Sequence, residues 1–369
     1  MSIEKLQGKL GFGFMRLPMV GQDVDEHQVC QMVDEFLAAG FNYFDTARPY
    51  LDGKSELAIR SCLARRHPRE DYLLANKLSG SCFTRQADIL PLFEDQLKAY
   101  GVEYFDVYLM HCQSRRNYQK FQDAHAYDIA ADLKAQGKIR HLALSFHDTA
   151  DILDTILTDH PEIELVQLQF NYLDFQDPAV QSGLCYDICG RHGRAVLVME
   201  PVKGGALAKL PPAGQKVYAA LGAASPASYA IRYAAGFEDV VTVLSGMSDL
   251  AQLRDNIGFM RDFQPLNAAE TKAVSEVTAI LRAQHTIPCT GCRYCVAGCP
   301  KGILIPDLFA CANAGETAEH WDAAAHYAQL CQTSARASEC LHCGLCEESC
   351  PQKLDIRRLL EDIAAKYEA

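Results

Sequence analysis

Residues 10–14 read LGFGF. An open dinucleotide-binding sheet would place G-x-G-x-x-G directly after its first strand, at the start of a helix. Here the glycines alternate with aromatic residues inside the strand itself, and no helix begins there. Working outward, similar short apolar runs recur: FNYFDTA (41–47), YLLANKL (72–78), FDVYLMH (105–111), IRHLALSF (139–146), ELVQLQFNY (164–172), AVLVMEPV (195–202) and VVTVLSG (240–246). Longer amphipathic stretches separate them, among them DEHQVCQMVDEFLAAG (25–40), DILPLFEDQLKAYG (88–101), AYDIAADLKAQGK (126–138) and ADILDTILTDH (150–160). Several end in Gly, the usual helix stop. LVQLQF and AVLVM scarcely alternate, as expected of strands covered on both faces. Eight strand–helix units in succession predict an α/β fold, a (β/α)8 TIM barrel, over a doubly wound sheet.

The 369 residues accommodate such a barrel and a small second domain. The formal charge is 35 − 47 = −12, which argues against nucleic acid or an anionic membrane as partner. No apolar run approaches membrane-spanning length, and the N-terminal residues lack an export-signal pattern. A cytoplasmic location is therefore expected. In that compartment the 16 cysteines are not a disulfide framework. Cys30, Cys62, Cys82, Cys112, Cys185, Cys189, Cys311 and Cys331 are scattered and read mostly as small core residues.

After VVTVLSG come two helical segments, DLAQLRDNIGFM (249–260) and a longer one over 267–284. Composition then changes abruptly at Pro288, which places a domain boundary near residue 285: a barrel over 1–285 and a small, mostly helical domain over 286–369. In CTGCRYCVAGCP, Cys289, Cys292, Cys295 and Cys299 stand at the spacing C-x2-C-x2-C-x3-C-P, and CLHCGLCEESCP repeats it with Cys340, Cys343, Cys346 and Cys350. This spacing resembles the bacterial ferredoxin run. Three close thiolates wrap one face of a cubane while the fourth, beyond the turn, reaches the other cluster. The resemblance thus implies two [4Fe–4S] clusters, one on Cys289, Cys292, Cys295 and Cys350, the other on Cys340, Cys343, Cys346 and Cys299. Zinc also uses C-x2-C pairs, but as two separated pairs per ion. The spacer, HWDAAAHYAQL (320–330) included, reads as helical and is similar to α-helical ferredoxin modules.

GFNYFDTARPYLDGKSE (40–56) resembles the aldo-keto reductase signature, with Asp45 ending the second strand-like run and Tyr50 five residues on. Lys77 in LLANKL and His111 in DVYLMHC complete the family's Asp–Tyr–Lys–His tetrad in order. The resemblance runs from about residue 8 to residue 262, and the C-terminal motifs match a subgroup carrying two [4Fe–4S] sites. It implies that Tyr50 is the acid–base group in carbonyl reduction. Lys77 would stabilise the phenolate, Asp45 would hold Lys77, and His111 would orient the substrate oxygen.

The nicotinamide pocket departs from the family. Ser145 is followed by Phe146 where Asn is usual, although Gln167 is in place; Met199 stands where a stacking tyrosine belongs. At the last strand the phosphate-clamping residues align with Gly246, Met247 and Gln252. Ser245, Gly246 and Met247 offer backbone amides to a phosphate, Asn256 matches a position near the adenine, and Arg254 is a substitute cation. NAD(P)H therefore meets a degraded pocket, and FMN is an alternative occupant that takes electron pairs and releases them singly. His141 and His147 read as structural residues or polar lining rather than metal ligands.

The expected function is an iron–sulfur oxidoreductase that couples electron transfer through two [4Fe–4S] clusters to a small carbonyl-type substrate, with ferredoxin or another redox carrier as partner. The competing readings are a non-catalytic barrel in an electron-transfer or redox-sensing subunit, and an NADPH-linked carbonyl reductase whose clusters are structural.

Overall fold

A computed structural model describes residues 3–222, 224–284, 286–317 and 322–368. Residue 285, where the sequence suggests a domain boundary, lies outside them, as do His320 and Trp321 of the expected spacer helix. By packing, the chain forms two compact units. One comprises Met1–Val202 with Ala223–Lys272, the other Lys203–Gly222 with Ala273–Ala369.

The first unit is a closed barrel of parallel strands: β1 (Leu10–Gly13), β4 (Tyr43–Asp45), β5 (Leu73–Leu78), β6 (Phe105–Gln113), β7 (Ile139–Phe146), β8 (Leu165–Gln169), β9 (Ala195–Met199) and β10 (Val240–Ser245). They run in sequence order around the barrel, which closes where Gly11 pairs with both Tyr43 and Leu244. LGFGF is thus a barrel strand, as its reading requires. A short antiparallel hairpin of β2 (Met19–Val20) and β3 (Asp23–Val24) follows β1.

Helices form where the periodicity places them. In Glu26–Ala38, Asp25 caps the N-terminus by accepting from the Gln28 N–H, and Val29, Met32, Val33 and Phe36 bury one stripe. Gly101, with φ 75°, ends Ile89–Tyr100. Two cores result. Tyr43, Ala75, Val107, Leu109, Ala143, Leu165 and Leu197 fill the barrel interior. Their strand neighbours, such as Phe44, Leu74, Tyr108, Leu144, Val166 and Val196, pack beneath the helices.

Of the scattered cysteines, Cys62, Cys185 and Cys189 are buried in the outer core with Cys30 packed against it, and Cys311 is buried in the second unit. Burial pushes the Cys62 thiol, 2.6 Å from Cys30 Sγ, up to about 12, and Cys185 likewise.

The second unit is helical and internally duplicated. Its motifs are offset by 340 − 289 = 51 residues, and the local structure repeats at that interval. Tyr294–Ala297 corresponds to Leu345–Glu348, and Ile305–Thr317 begins like Ile356–Tyr367. The two short helices pack on one another. Ala323–Leu330 forms a helix within the spacer.

Candidate functional site

Side chains alternate along a strand, so residues two apart face the same way. Tyr43, Ala75, Leu109, Ala143 and Leu165 line the interior of the barrel. Two positions further toward the C-terminal end of each strand stand Asp45, Lys77, His111, Ser145 and Gln167. Five consecutive strands therefore present five polar side chains on one ring of the interior face, at the end where such barrels place their chemistry. All are almost completely buried.

Lys77 Nζ donates to Asp45 Oδ1 at 2.6 Å and to the Thr46 carbonyl at 2.8 Å. Burial pushes its pKa down from 10.5, and the Asp45 carboxylate works against that shift. Gln167 Nε2 donates to the other oxygen, Asp45 Oδ2, at 3.1 Å. The Tyr50 ring lies over this pair, its centroid 4.9 Å from Lys77 Nζ, and the His111 ring meets it edge-on with centroids 5.8 Å apart. His111 Nδ1 is 2.6 Å from Ser79 Oγ. Burial, with the Lys77 and His147 charges adding, holds the imidazole well below its usual 6.5, so His111 is neutral. The backbone beyond Tyr50 turns through positive φ at Leu51 and Asp52, 52° and 55°, a tight path that seats the tyrosine against the strand ends.

The residues expected to receive a nucleotide have other partners. Ser145 Oγ accepts from the Cys112 N–H at 2.8 Å, where β6 breaks register between Met110 and Gln113 and Cys112 takes φ 53°. Phe146 and Met247 are in the core beneath the helices. Asn256 Nδ2 donates to Ser245 Oγ at 2.7 Å, both buried. Arg254 makes a two-bond fork with Glu35, each bond 2.8 Å. Gly246 packs against Arg16, whose carbonyl accepts from Ser248 Oγ at 2.9 Å. The structure thus gathers Asp45, Tyr50, Lys77, His111 and Gln167 into one cluster and pairs Ser245 with Asn256. Arg254 is paired toward the helix Glu26–Ala38.

In the second unit the cysteines divide between two cavities. Cys289, Cys292, Cys295 and Cys350 line one; Cys299, Cys340, Cys343 and Cys346 line the other. The last cysteine of each motif thus crosses to the other motif's cavity. Burial, with the neighbouring Cys292, Cys289 and Cys350 adding, pushes Cys295 up to about 12, and Cys346 is raised to about 11. Such thiols ionise when iron binds them. Gly291 and Arg293 in one motif, His342 and Gly344 in the other, take positive φ at matching positions. Alternating left-handed residues turn successive backbone N–H groups into one concavity, a nest suited to an anionic group. The Gly291 N–H already donates to Cys289 Sγ at 3.4 Å. Among the described residues no three metal-binding side chains are spaced to hold a single ion; each thiol quartet surrounds a space instead. The donor set fits an iron–sulfur cluster.

The family model for aldo/keto reductases matches residues 9–279, and a 4Fe-4S dicluster domain matches residues 288–355. The chain belongs to the aldo/keto reductase family. This aldo/keto reductase is an oxidoreductase with a C-terminal iron–sulfur domain. It is 27% identical over 210 residues to the NADH-specific methylglyoxal reductase of Escherichia coli, a match covering 52% of this chain and 61% of that protein. It is 25% identical over 295 residues to L-galactose dehydrogenase of Arabidopsis thaliana, covering 74% and 90%. Among solved structures, an aldo-keto reductase from Bacillus halodurans shares the fold with a TM-score of 0.59 at 24% identity, over 75% of this chain and 95% of that one. A Klebsiella pneumoniae aldo-keto reductase in complex with NADPH matches with the same TM-score, at 18% identity over 73% and 90%.

Sequence reading missed Ser79, the partner of His111, although it stands two residues after Lys77 and so on the same inward row. It also missed the engagement of Gln167 with Asp45, for which no sequence signal exists, since the pair are 122 residues apart.

Proposed function

We propose that this aldo/keto reductase couples one-electron transfer through two [4Fe–4S] clusters to the interconversion of a small carbonyl compound and its alcohol. The reading assigns the chemistry to a barrel domain over 1–285 and the clusters to 286–369. Tyr50 is its acid–base residue. The observation that carries it is the Lys77 ammonium, fully buried, ion-paired to Asp45 and placed beside the Tyr50 ring.

Carbonyl reduction takes two electrons and two protons. Tyr50 donates one proton to the substrate oxygen, and Lys77 stabilises the negative charge left on the phenolic oxygen. Asp45 keeps Lys77 charged despite its burial, and Gln167 keeps Asp45 in place. His111 is neutral, and its Nε2 is the ring nitrogen not facing Ser79. It orients the carbonyl without placing a second cation beside Lys77. The clusters, held by the crossed quartets Cys289, Cys292, Cys295, Cys350 and Cys340, Cys343, Cys346, Cys299, supply electrons one at a time. A soluble ferredoxin-type carrier is the proposed partner.

A nicotinamide or FMN above the tetrad would supply the two-electron step. The likeness to a structure in complex with NADPH favours the dinucleotide. The engagement of Ser145, Gln167 and Arg254 elsewhere favours an occupant that does not rely on their side chains, held instead by backbone amides at Ser245–Met247. Extraction of the anaerobically purified protein identifies it by absorption and mass.

Tyr50→Phe removes the proton donor and keeps the ring. Turnover of small aldehydes and ketones, methylglyoxal included, falls about 10²–10⁴-fold; unchanged turnover sinks the assignment. Dithionite-reduced wild-type protein reoxidises on addition of a carbonyl that it turns over. Clusters that stay reduced would make them structural.

A further inference from the structure

Lys203 belongs to none of the chemistry assigned above. It lies in MEPVKGG, four residues after the end of β9, within the segment that packs in the second unit. Its side chain is 5% exposed, unusual for a lysine, which ordinarily keeps its ammonium in water. Its backbone takes φ 46°, a left-handed conformation that a non-glycine residue adopts only at a cost. Gly204, next to it with φ 64°, approaches the Thr290 backbone so closely that a Cβ there would lie 2.4 Å from the Thr290 oxygen. Thr290 directly follows Cys289. Two adjacent residues thus accept backbone strain, or the absence of a side chain, in order to sit on the first cysteine motif.

The Lys203 ammonium has a defined target. Nζ donates to Gln352 Oε1 at 2.8 Å, both side chains buried. Gln352 and Thr290 line the same cavity as Cys289, Cys292, Cys295 and Cys350. An ammonium can meet only the oxygen end of an amide, so Lys203 fixes which way Gln352 points. Gln352 thereby joins the buried lysine to the wall of the sulfur-lined cavity. The arrangement places a buried lysine one hydrogen bond from the wall of one cysteine quartet.

We propose that Lys203, acting through Gln352, is a positioning residue that raises the reduction potential of the cluster held by Cys289, Cys292, Cys295 and Cys350. This rests on the assignment of clusters to the crossed quartets. One-electron reduction adds a negative charge to the cage. A nearby cation in a low-dielectric setting stabilises the reduced form more than the oxidised one. The other quartet's cavity is lined by Lys301, which follows the first motif and is exposed, so that solvent and salt screen its charge as they do not screen that of the buried Lys203. The two sites therefore differ in potential, with the Lys203 site the more readily reduced.

The test is a dithionite titration of the full-length protein, anaerobically loaded with iron and sulfide and followed by electron paramagnetic resonance. Lys203→Gln keeps a hydrogen-bonding chain and removes the charge. Gln352→Glu places a carboxylate beside Lys203 and cancels it. Each lowers the potential of one cluster by about 59 mV or more, a tenfold change in its one-electron reduction constant, and moves the other cluster less. Lys203→Arg restores most of the wild-type value. Should Lys203→Gln fail to load iron, Gln352→Glu decides. Variants that load fully and leave both potentials unmoved overturn the proposal while the clusters stand. Equal shifts in both clusters, or Lys203→Arg behaving like Lys203→Gln, also overturn it. Wild-type protein that binds no iron and sulfide removes the cluster assignment, and this inference with it.

Discussion

Lys77 is held by two opposed effects. Complete burial disfavours its charged form, and the Asp45 carboxylate at 2.6 Å restores it. Asp45→Asn removes the restoring charge while keeping the shape, so the Lys77 pKa falls further. Because the proposed role needs the ammonium, activity is lost as pH rises through that pKa. The alkaline limb of kcat against pH therefore moves to lower pH in Asp45→Asn, and kcat at neutral pH drops. A profile that keeps its wild-type alkaline limb would remove Lys77 from the proton step. These residues were legible in the sequence because their order and positions follow a family pattern. Ser79 and the Gln167–Asp45 bond were not, since a hydrogen-bond partner on another strand leaves no local trace.

At the scale of the element, the end of β6 shows how the site is braced. The strand slips register after Met110, Cys112 turns to positive φ, and the Ser145 hydroxyl on β7 accepts the Cys112 N–H. The serine that sequence comparison assigns to a nicotinamide also supports the backbone beside His111. Ser145→Ala takes the serine acceptor from that partly buried N–H and costs about 1 kcal/mol, measurable as a lower urea midpoint with an unchanged slope. A stability equal to wild type would show that the hydroxyl serves the cofactor alone. The strands and most helices were readable from apolar runs, caps and terminal glycines. The β6 irregularity was not: FDVYLMHCQ reads as one continuous strand, and the slip comes from pairing with β7.

At the scale of the molecule, the two units depend on different physics. The barrel closes on itself and buries two concentric layers of apolar side chains. The second unit has a small core, and Cys295 and Cys346 are members of it, with Cys289, Cys299, Cys340 and Cys350 packed alongside. A small core into which the motif cysteines are built is expected to rely on the iron that joins them. Chelation of iron from reduced protein is expected to raise amide hydrogen exchange across 289–356 while β4–β8 stay protected. Uniform loss of protection across both regions would show that the barrel is not independent of the clusters.

The sequence by itself determined the alternation of strands and helices behind the barrel, the family pattern that singles out Asp45, Tyr50, Lys77 and His111, and the eight cysteines with their spacing. Each is a local or periodic signal, written in residues that neighbour one another along the chain or recur at strand ends. Only the tertiary structure decided that residues 203–222 pack with the cysteine-bearing unit, that Arg254 pairs with Glu35, and that Gln167 steadies Asp45. It also decided that a lysine following β9 meets the glutamine just after the second motif. Those contacts join residues up to 219 positions apart, and they depend on which surfaces meet when the chain folds, which no short stretch of sequence encodes.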